Sequence, residues 1–145
     1  MKIADTLAEF LGEPDARLRF SRASEITVSI VVLTYNRAEH TFRCLDSILW
    51  HVDIPYELII VDNASHDETG QLLARLDNAT ILRNAENVGF GEGCNQGAAV
   101  ARGRYLLFLN NDALLTRGCL RALLDTVARV PDCAAVGCRP WKTPR

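Results

Sequence analysis

The amino-acid sequence predicts an α/β domain in which a mostly parallel β-sheet is covered by helices on both faces. Two runs, VSIVVLT at 28–34 and YELIIVD at 56–62, are rich in apolar and β-branched residues, which is typical of strands buried on both faces. Segments with the helical spacing of apolar residues follow these runs and the later ones. This alternation indicates right-handed β-α-β crossovers and therefore parallel strands.

Length and composition set limits on the kind of protein. The chain has 145 residues, of which 48% are hydrophobic and 23% are charged, as expected for one ordinary globular domain. Its net charge of −2, without a long basic run, argues against nucleic acid as a partner. The five cysteines have no metal-binding spacing, so we expect reduced packing thiols and a cytoplasmic protein.

Residues 1–26 are predicted to form an N-terminal arm, which precedes a domain at 27–145. The stretch ADTLAEFLG predicts a short amphipathic helix, with Asp5 as its N-cap and Gly12 at its end. We expect the arm to pack on the domain or to fray. The alternative is docking on a partner or at the inner face of a membrane through Leu7, Phe10 and Leu11, which leaves peripheral membrane association open.

The first strand and the segments after it alternate as the fold class requires. Asn36 is the predicted cap of a helix that follows the strand at 28–34, because an Asn side chain accepts the free N–H groups of a first helical turn. The apolar face of that helix comprises Phe42, Leu45, Ile48 and Leu49. The strand at 56–62 precedes the polar turn NASHDETG and a short helix.

The later elements repeat the pattern. TILRN at 80–84 predicts a weaker strand, and RYLLFLNND at 104–112 predicts another buried one, with a glycine-rich helical segment between them. Thr116 is the predicted cap of a last helix, whose apolar residues are Leu120, Leu123, Leu124 and Val127. AAVGC at 134–138 is the predicted fifth strand.

Polar residues follow three of the predicted strands. Ligands of open parallel sheets bind beyond the carboxyl ends of the strands, so these residues are the candidates for a site: Thr34, Tyr35, Asn36, Arg37, Asp62, Asn63, Asn110, Asn111 and Asp112. One or two carboxylates can hold Mg²⁺ or Mn²⁺ together with substrate phosphates. Both Asp62 and Asp112 also fit ordinary turns, and that alternative stays open.

The glycine-rich segment NVGFGEGCNQGAA at 87–99 has two interpretations. It lacks the lysine of a P-loop, and from Gly89 it matches the dinucleotide fingerprint G-x-G-x-x-G only in part. Asp112, about 20 residues further on, fits the ribose-binding acid of that fingerprint.

Helix packing explains the glycines better. Gly93, Gly97 and Ala101 recur every four residues and would lie on one helix face, where the helix can approach a neighbour closely. Gly89 and Gly91 would shape the turn into this helix. Gly103 would follow its end.

Taken together, VSIVVLTYNR, ELIIVDNASHDET and NVGFGEGCNQGAAVARGRYLLFLNNDA resemble the family 2 glycosyltransferases with the GT-A fold. The similarity runs from about Val28 to Gly137, with the motifs in the family's order and spacing. NVGFGEGCNQG and LNNDA are most similar to the branch that contains rhamnosyltransferases and related polysaccharide-assembly enzymes. The resemblance implies a Rossmann-like domain that binds a UDP- or dTDP-sugar for transfer to a glycan or lipid-linked acceptor of the cell envelope.

The resemblance also implies roles for individual residues. Thr34, Tyr35 and Arg37 would line the nucleotide pocket, Asp62 would bind the base or ribose, and Asn95 would face the sugar nucleotide. The family's D-x-D-type motif, which reads N-N-D here, corresponds to Asn110, Asn111 and Asp112. Asp112 would hold Mg²⁺ or Mn²⁺ on the diphosphate.

The family's acceptor-binding half, with its usual general base, comes later than CRPWKTPR, where this sequence stops. We therefore expect the nucleotide-binding half alone, truncated after the fifth strand and incomplete as a catalyst, with a second chain or a lost domain supplying the acceptor half. We name no catalytic base. The alternatives are a non-catalytic nucleotide-sugar-binding or regulatory module and, more remotely, an NAD-binding Rossmann domain.

Overall fold

The computed structural model describes residues 4–138, which form five helices and six strands. The helices are α1 (Leu7–Gly12), α2 (Ala38–His51), α3 (Thr69–Leu73), α4 (Phe90–Val100) and α5 (Cys119–Arg129). The strands are β1 (Leu18–Arg19), β2 (Val28–Thr34), β3 (Tyr56–Asp62), β4 (Leu76–Asp77), β5 (Ala79–Arg83) and β6 (Tyr105–Asn110).

The main sheet has four strands in the order β5-β3-β2-β6, and every neighbouring pair is parallel. The chain adds β3 and β5 on one side of β2 and then returns to add β6 on the other side. The strand order therefore reverses between β2 and β6, and a ligand crevice is expected there. Two short strands, β1 and β4, form a separate parallel pair that the sequence analysis did not predict.

Helices cover both faces of the main sheet, which confirms the predicted fold class. Side chains of β2 and β3 on one face, including Ile30 and Ile60, belong to the large core with α1, α2 and α3. Val31, Leu33, Ile59 and Val61 point to the other face, where they pack with Cys94 of α4. Alternate residues of the same strand thus enter two different cores, which explains why β2 and β3 are buried along their whole length.

The N-terminal arm is part of the fold. Leu7 and Phe10 of α1 are buried, and the Phe10 ring lies 5.2 Å from that of Phe42. The alternative of docking through Leu7, Phe10 and Leu11 is therefore wrong, because Leu7 and Phe10 are inaccessible and Leu11 is partly buried against the same core. The N-cap of α1 is Thr6 and not Asp5, since Thr6 Oγ1 accepts the Glu9 N–H.

Three further local predictions are wrong. Arg37, not Asn36, occupies the N-cap position of α2. Gly118, with a φ of +79°, occupies the N-cap position of α5 that was predicted for Thr116. Residues 134–138 form no strand among the described residues; this segment has a single β-branched residue, Val136, and that residue stays exposed.

Two glycines of α4, Gly93 and Gly97, lie against the sheet. A Cβ on Gly97 would overlap Cγ1 of Val31, and one on Gly93 would lie 2.7 Å from Leu33 Cδ2. Gly89 has a φ of +85° at the turn into the helix, whereas a Cβ on Gly91 would meet nothing within 4 Å. The packing interpretation is thus supported at Gly93 and Gly97, where the helix backbone approaches the sheet too closely for a side chain.

Gly103 has a different function from the predicted one. Helix α4 already ends at Val100, with Ala101 as its C-cap. A Cβ on Gly103 would lie 2.5 Å from the Ser29 backbone nitrogen. The glycine therefore lets the chain pass close to the start of β2 on its way into β6.

Near the start of β2 and β3, Glu57 binds the chain that leaves α4. Its Oε1 accepts hydrogen bonds from Ser29 Oγ (2.6 Å) and the Arg102 N–H (2.6 Å), and its Oε2 accepts from Nε (3.1 Å) and Nη2 (2.9 Å) of Arg102. Burial raises the pKa of this carboxyl, but the hydrogen bonds outweigh burial and hold the pKa below its usual value. The charged form therefore stabilises the fold.

Glu57→Gln is expected to lower the free energy of unfolding at pH 7 by about 1–3 kcal/mol, because buried hydrogen bonds to a charge are lost. Since the folded pKa is depressed, the contribution is present above the unfolded pKa, about 4.3, and is lost as the pH falls through the folded pKa. Urea melts between pH 7 and 3 should show the two proteins converging in acid. A difference that is constant over this range would contradict the charge assignment.

Candidate functional site

The carboxyl ends of β2, β3 and β6 lie side by side. Thr34 pairs with Asp62 in the register of β2 and β3, and Leu33 pairs with Asn110 in that of β2 and β6. The structure therefore brings the predicted polar residues to one edge of the sheet. This edge includes the point at which the strand order reverses.

A cleft of about 330 Å³ opens at this edge between the β2–α2 turn and the start of α4. Two of its lining residues are exposed aromatics, Tyr35 (49%) and Phe90 (57%). The polar residues that line it are Thr34, Arg37, Asn63, Asn87, Asn110 and Asn111. Aromatic faces and neutral amides of this kind suit a ligand with flat rings and many hydrogen-bonding groups.

The β2–α2 turn holds two consecutive non-glycine residues in the left-handed region, Asn36 (φ 56°) and Arg37 (φ 57°). Each such residue costs about 1–3 kcal/mol and persists only where the surrounding structure imposes it. Here Ser65 Oγ accepts the Asn36 N–H at 2.8 Å, and Asn36 Oδ1 accepts the His66 N–H at 2.8 Å. The Asn36 side chain thus binds the β3–α3 loop and does not cap α2.

Arg37 and Asp112 meet at the rim of the cleft. Nη1 of Arg37 lies 3.9 Å from Oδ2 of Asp112, and the two side chains are 66% and 49% exposed. A pair this open contributes little to stability, so both groups are available to a ligand. Asp112 also lies near Cys44: burial first, and then the Asp112 charge, raises the pKa of the Cys44 thiol to about 12, which excludes that thiol as a nucleophile at neutral pH.

The residues at this edge fit a cation that arrives with its substrate. Within residues 4–138, no three His, Cys, Asp or Glu side chains are grouped closely enough to form a metal site of their own. Mg²⁺ and Mn²⁺, however, are commonly held by one or two carboxylates together with substrate phosphates. The accessible carboxylate of Asp112 meets that requirement.

Two of the predicted pocket residues point into the protein. Thr34 is buried, and its Oγ1 lies 3.0 Å from Thr41 Oγ1. The amide nitrogen of Asn111 lies 3.3 Å from Thr34 Oγ1, 3.1 Å from the Asn36 carbonyl oxygen and 3.0 Å from Thr41 Oγ1. These hydrogen bonds connect β2, α2 and the end of β6, and they hold the β2–α2 turn in place from its buried side.

Asp62 and Asn95 are placed differently again. Asp62 is 4% exposed, and its Oδ1 accepts the Ser65 N–H at 3.0 Å, which is the turn geometry that the sequence left open. Asn95 lies on the exposed side of α4, outside the set of residues that lines the cleft. A nucleotide role for either residue stays a prediction.

Four residues in or beside the cleft were not predicted from the sequence: Asn84, Asn87, Phe90 and Gln96. Asn84 Nδ2 donates to Asn63 Oδ1 (2.8 Å) and to Gln96 Oε1 (2.9 Å), and Asn63 Nδ2 donates to the Gly89 carbonyl (3.3 Å). This series of amides orients the turn that presents Phe90 to the cleft. The many asparagines near strand ends were the available signal, but their partners lie far away in sequence.

The start of α2 is already occupied by a carboxylate. Asp67 Oδ2 accepts the Ala38 N–H at 2.9 Å, where dinucleotide-binding folds place a pyrophosphate on the first helix. A diphosphate is therefore expected elsewhere, at the rim with Arg37 and Asp112. This arrangement counts against the dinucleotide interpretation.

A parallel sheet with this strand order and a polar cleft at its carboxyl edge defines a Rossmann-like α/β domain of the kind that binds nucleotides. A sequence profile described as Glycosyl transferase family 2 matches residues 29–144. The chain belongs to this glycosyltransferase family, and its fold is of the GT-A type.

Individual relatives agree with this assignment. An uncharacterized glycosyltransferase of Haemophilus influenzae is 34% identical over 105 residues, which is 72% of this chain and 36% of the relative. The succinoglycan biosynthesis protein ExoO of Rhizobium meliloti is 31% identical over 100 residues, or 68% and 29% of the two chains. The chain thus spans about a third of the length of these relatives.

Solved structures give the same picture. The mannosyltransferase PcManGT of Pyrobaculum calidifontis, in complex with GDP-Man and Mn²⁺, has a TM-score of 0.64 and 27% identity, over 73% of this chain and 33% of that one. The structure of residues 1–349 of S. aureus TarS has a TM-score of 0.62 and 25% identity, over 71% of this chain and 32% of that one. The relatives do not single out a rhamnosyltransferase branch, which stays a prediction.

Proposed function

We propose that this chain is the donor-binding part of a glycosyltransferase, which holds a UDP- or dTDP-sugar with Mg²⁺ or Mn²⁺ for transfer to a glycan or lipid-linked acceptor. The observation that carries the proposal is the Arg37–Asp112 pair at the mouth of the cleft, where β2 and β6 end side by side. Family membership supports it, as does a solved neighbour that holds GDP-Man and Mn²⁺. These findings favour the enzyme over a non-catalytic module.

The residues of the chain divide the binding of the donor among them. The Arg37 guanidinium faces the negative charge of the diphosphate, while Tyr35 and Phe90 offer ring faces to the base or the sugar. Asn110 and Asn87 supply amide groups for hydroxyls or for base edges. A divalent cation held by Asp112 would offset charge on the departing diphosphate.

We propose that binding and activation of the acceptor are carried out by a region that corresponds to the rest of the relatives' length. That region would be in the same polypeptide or in a second chain. We place the protein in the cytoplasm, with peripheral association at the inner face of the membrane where the acceptor is lipid-linked. Throughout residues 4–138, each helix is too short or too polar to cross a bilayer.

Isothermal titration calorimetry tests the proposal. UDP-, dTDP- and GDP-sugars are titrated with Mn²⁺ and with EDTA, and NAD⁺ with Mn²⁺ serves as the comparison ligand. We expect at least one sugar nucleotide to bind, more tightly with Mn²⁺ than with EDTA, and NAD⁺ not to bind. Tighter binding of NAD⁺ than of every sugar nucleotide would overturn the proposal.

A further inference from the structure

The carboxyl group of Asp67 joins the starts of two helices. Its Oδ2 accepts the Ala38 N–H of α2 at 2.9 Å, and its Oδ1 accepts the N–H (3.0 Å) and the hydroxyl (2.6 Å) of Thr69 in α3. Each oxygen therefore has a separate helix to cap. A single half-buried side chain fixes the β3–α3 loop against the first turn of α2.

The capping of α2 is tertiary. Arg37 occupies the N-cap position, but its side chain makes no capping hydrogen bond. The cap comes instead from Asp67, which lies 29 positions after Ala38 in the chain. Asp67 lies in the β3–α3 loop and binds Ala38, the residue after Arg37. The same loop binds Asn36, the residue before Arg37, because Ser65 Oγ accepts the Asn36 N–H. Both residues that flank Arg37 are thus bound to the β3–α3 loop.

We propose that Asp67 is a positioning residue of the donor site. By capping α2 and α3 together, it holds Arg37 in its left-handed conformation and keeps the guanidinium at the rim beside Asp112. The inference rests on the proposed function, which assigns Arg37 to the diphosphate.

The chemistry of the position requires a carboxylate. Both oxygens accept from N–H or O–H donors, so an amide in the same place would keep one cap and turn its NH₂ towards the donors of the other. Burial raises the pKa of Asp67, but the hydrogen bonds from Thr69 and Ala38 outweigh burial and hold the pKa below its usual value. The group is therefore ionised at neutral pH, as an anion that accepts from both helix starts should be.

Asp67→Asn tests the proposal in a double-mutant cycle with Arg37→Ala, by calorimetry with the sugar nucleotide that binds the wild-type protein and Mn²⁺. We expect Asp67→Asn to weaken binding about tenfold at a temperature at which circular dichroism shows a folded protein, and to have little further effect once Arg37 is Ala. A merely structural role would lower the melting temperature without this coupling. Asp77→Asn, which removes hydrogen bonds from Arg17 and Arg19 in the two-stranded sheet, is the control and should bind as the wild type does.

Two results would overturn the inference alone: wild-type affinity in a folded Asp67→Asn protein, or effects of the two substitutions that simply add. A wild-type protein that binds no sugar nucleotide would overturn the proposed function first, and the inference with it. If Asp67→Asn does not fold, Ser65→Ala replaces it, since this variant removes one of the two hydrogen bonds that join Asn36 to the same loop. It should weaken binding in the same way, and unchanged affinity would count against the proposal.

Discussion

Gly97→Leu should destabilise the protein by about 3 kcal/mol or more, at the upper end of what overpacking costs. The Cβ alone would overlap Cγ1 of Val31, a fully buried side chain on β2 between two paired strands. Val31 cannot move aside without disturbing the pairing of β2, and the rest of the leucine side chain has to enter the same space. A urea melt of the ligand-free protein measures the loss.

Gly91→Leu is the matched control, because it makes the same substitution in the same helix. A Cβ on Gly91 would meet nothing within 4 Å, so this variant should gain up to about 1 kcal/mol from better helix propensity. If Gly97→Leu does not fold, Gly97→Ala against Gly91→Ala gives the same comparison with a smaller loss. A Gly97 variant as stable as its Gly91 counterpart would show that α4 does not pack on β2 through this glycine.

Asp112→Asn is expected to abolish the dependence of nucleotide binding on Mn²⁺. The neutral amide keeps the shape of the side chain but is a poor ligand for a hard cation, which prefers carboxylate oxygens. We expect the affinity with Mn²⁺ to fall at least about tenfold, because even changes in the residues that orient a metal ligand typically cost about 10–100-fold in metal affinity. The affinity in EDTA should stay near that of the wild type.

Stability separates this prediction from an effect on folding. The Arg37–Asp112 pair is exposed, so its loss should change the free energy of unfolding by less than about 1 kcal/mol. Asp53→Asn breaks a comparable surface pair, that of Asp53 with Arg121 at 3.1 Å, and should change neither stability nor nucleotide binding. Unchanged Mn²⁺ dependence in Asp112→Asn would make Asp112 an ordinary turn residue.

The elements that could be predicted from the sequence are those whose signal is local. β2 and β3 have the predicted bounds, 28–34 and 56–62, because strands buried on both faces need apolar residues at nearly every position. β5 and β6 differ from their predictions by one or two residues at their ends. The close packing at Gly93 and Gly97 was also predictable, since a four-residue spacing places both on one helix face.

The details of the site were less predictable, because hydrogen-bond partners that are distant in sequence decide them. Asn36 is a good helix cap by residue type, yet its side chain accepts a hydrogen bond from His66, and Asp67 takes the capping role. Asn111 follows a strand end as a ligand-binding residue would, but its amide points into the protein and donates to the hydroxyl oxygens of Thr34 and Thr41. Neither outcome has a signal within a few residues of the side chain concerned.

The sequence by itself determined the α/β class, the two central strands, the family and the edge of the sheet that holds the candidate site, since periodicity and motif spacing are carried by neighbouring residues. Only the tertiary structure decided which of the polar residues at that edge are free to meet a ligand. Arg37 and Asp112 stay exposed, whereas Thr34, Asp62 and Asn111 accept or donate hydrogen bonds within the protein. The physical reason is that a buried polar group must find a partner, and in this fold the partners come from other strand ends and loops that pairing brings to the same edge.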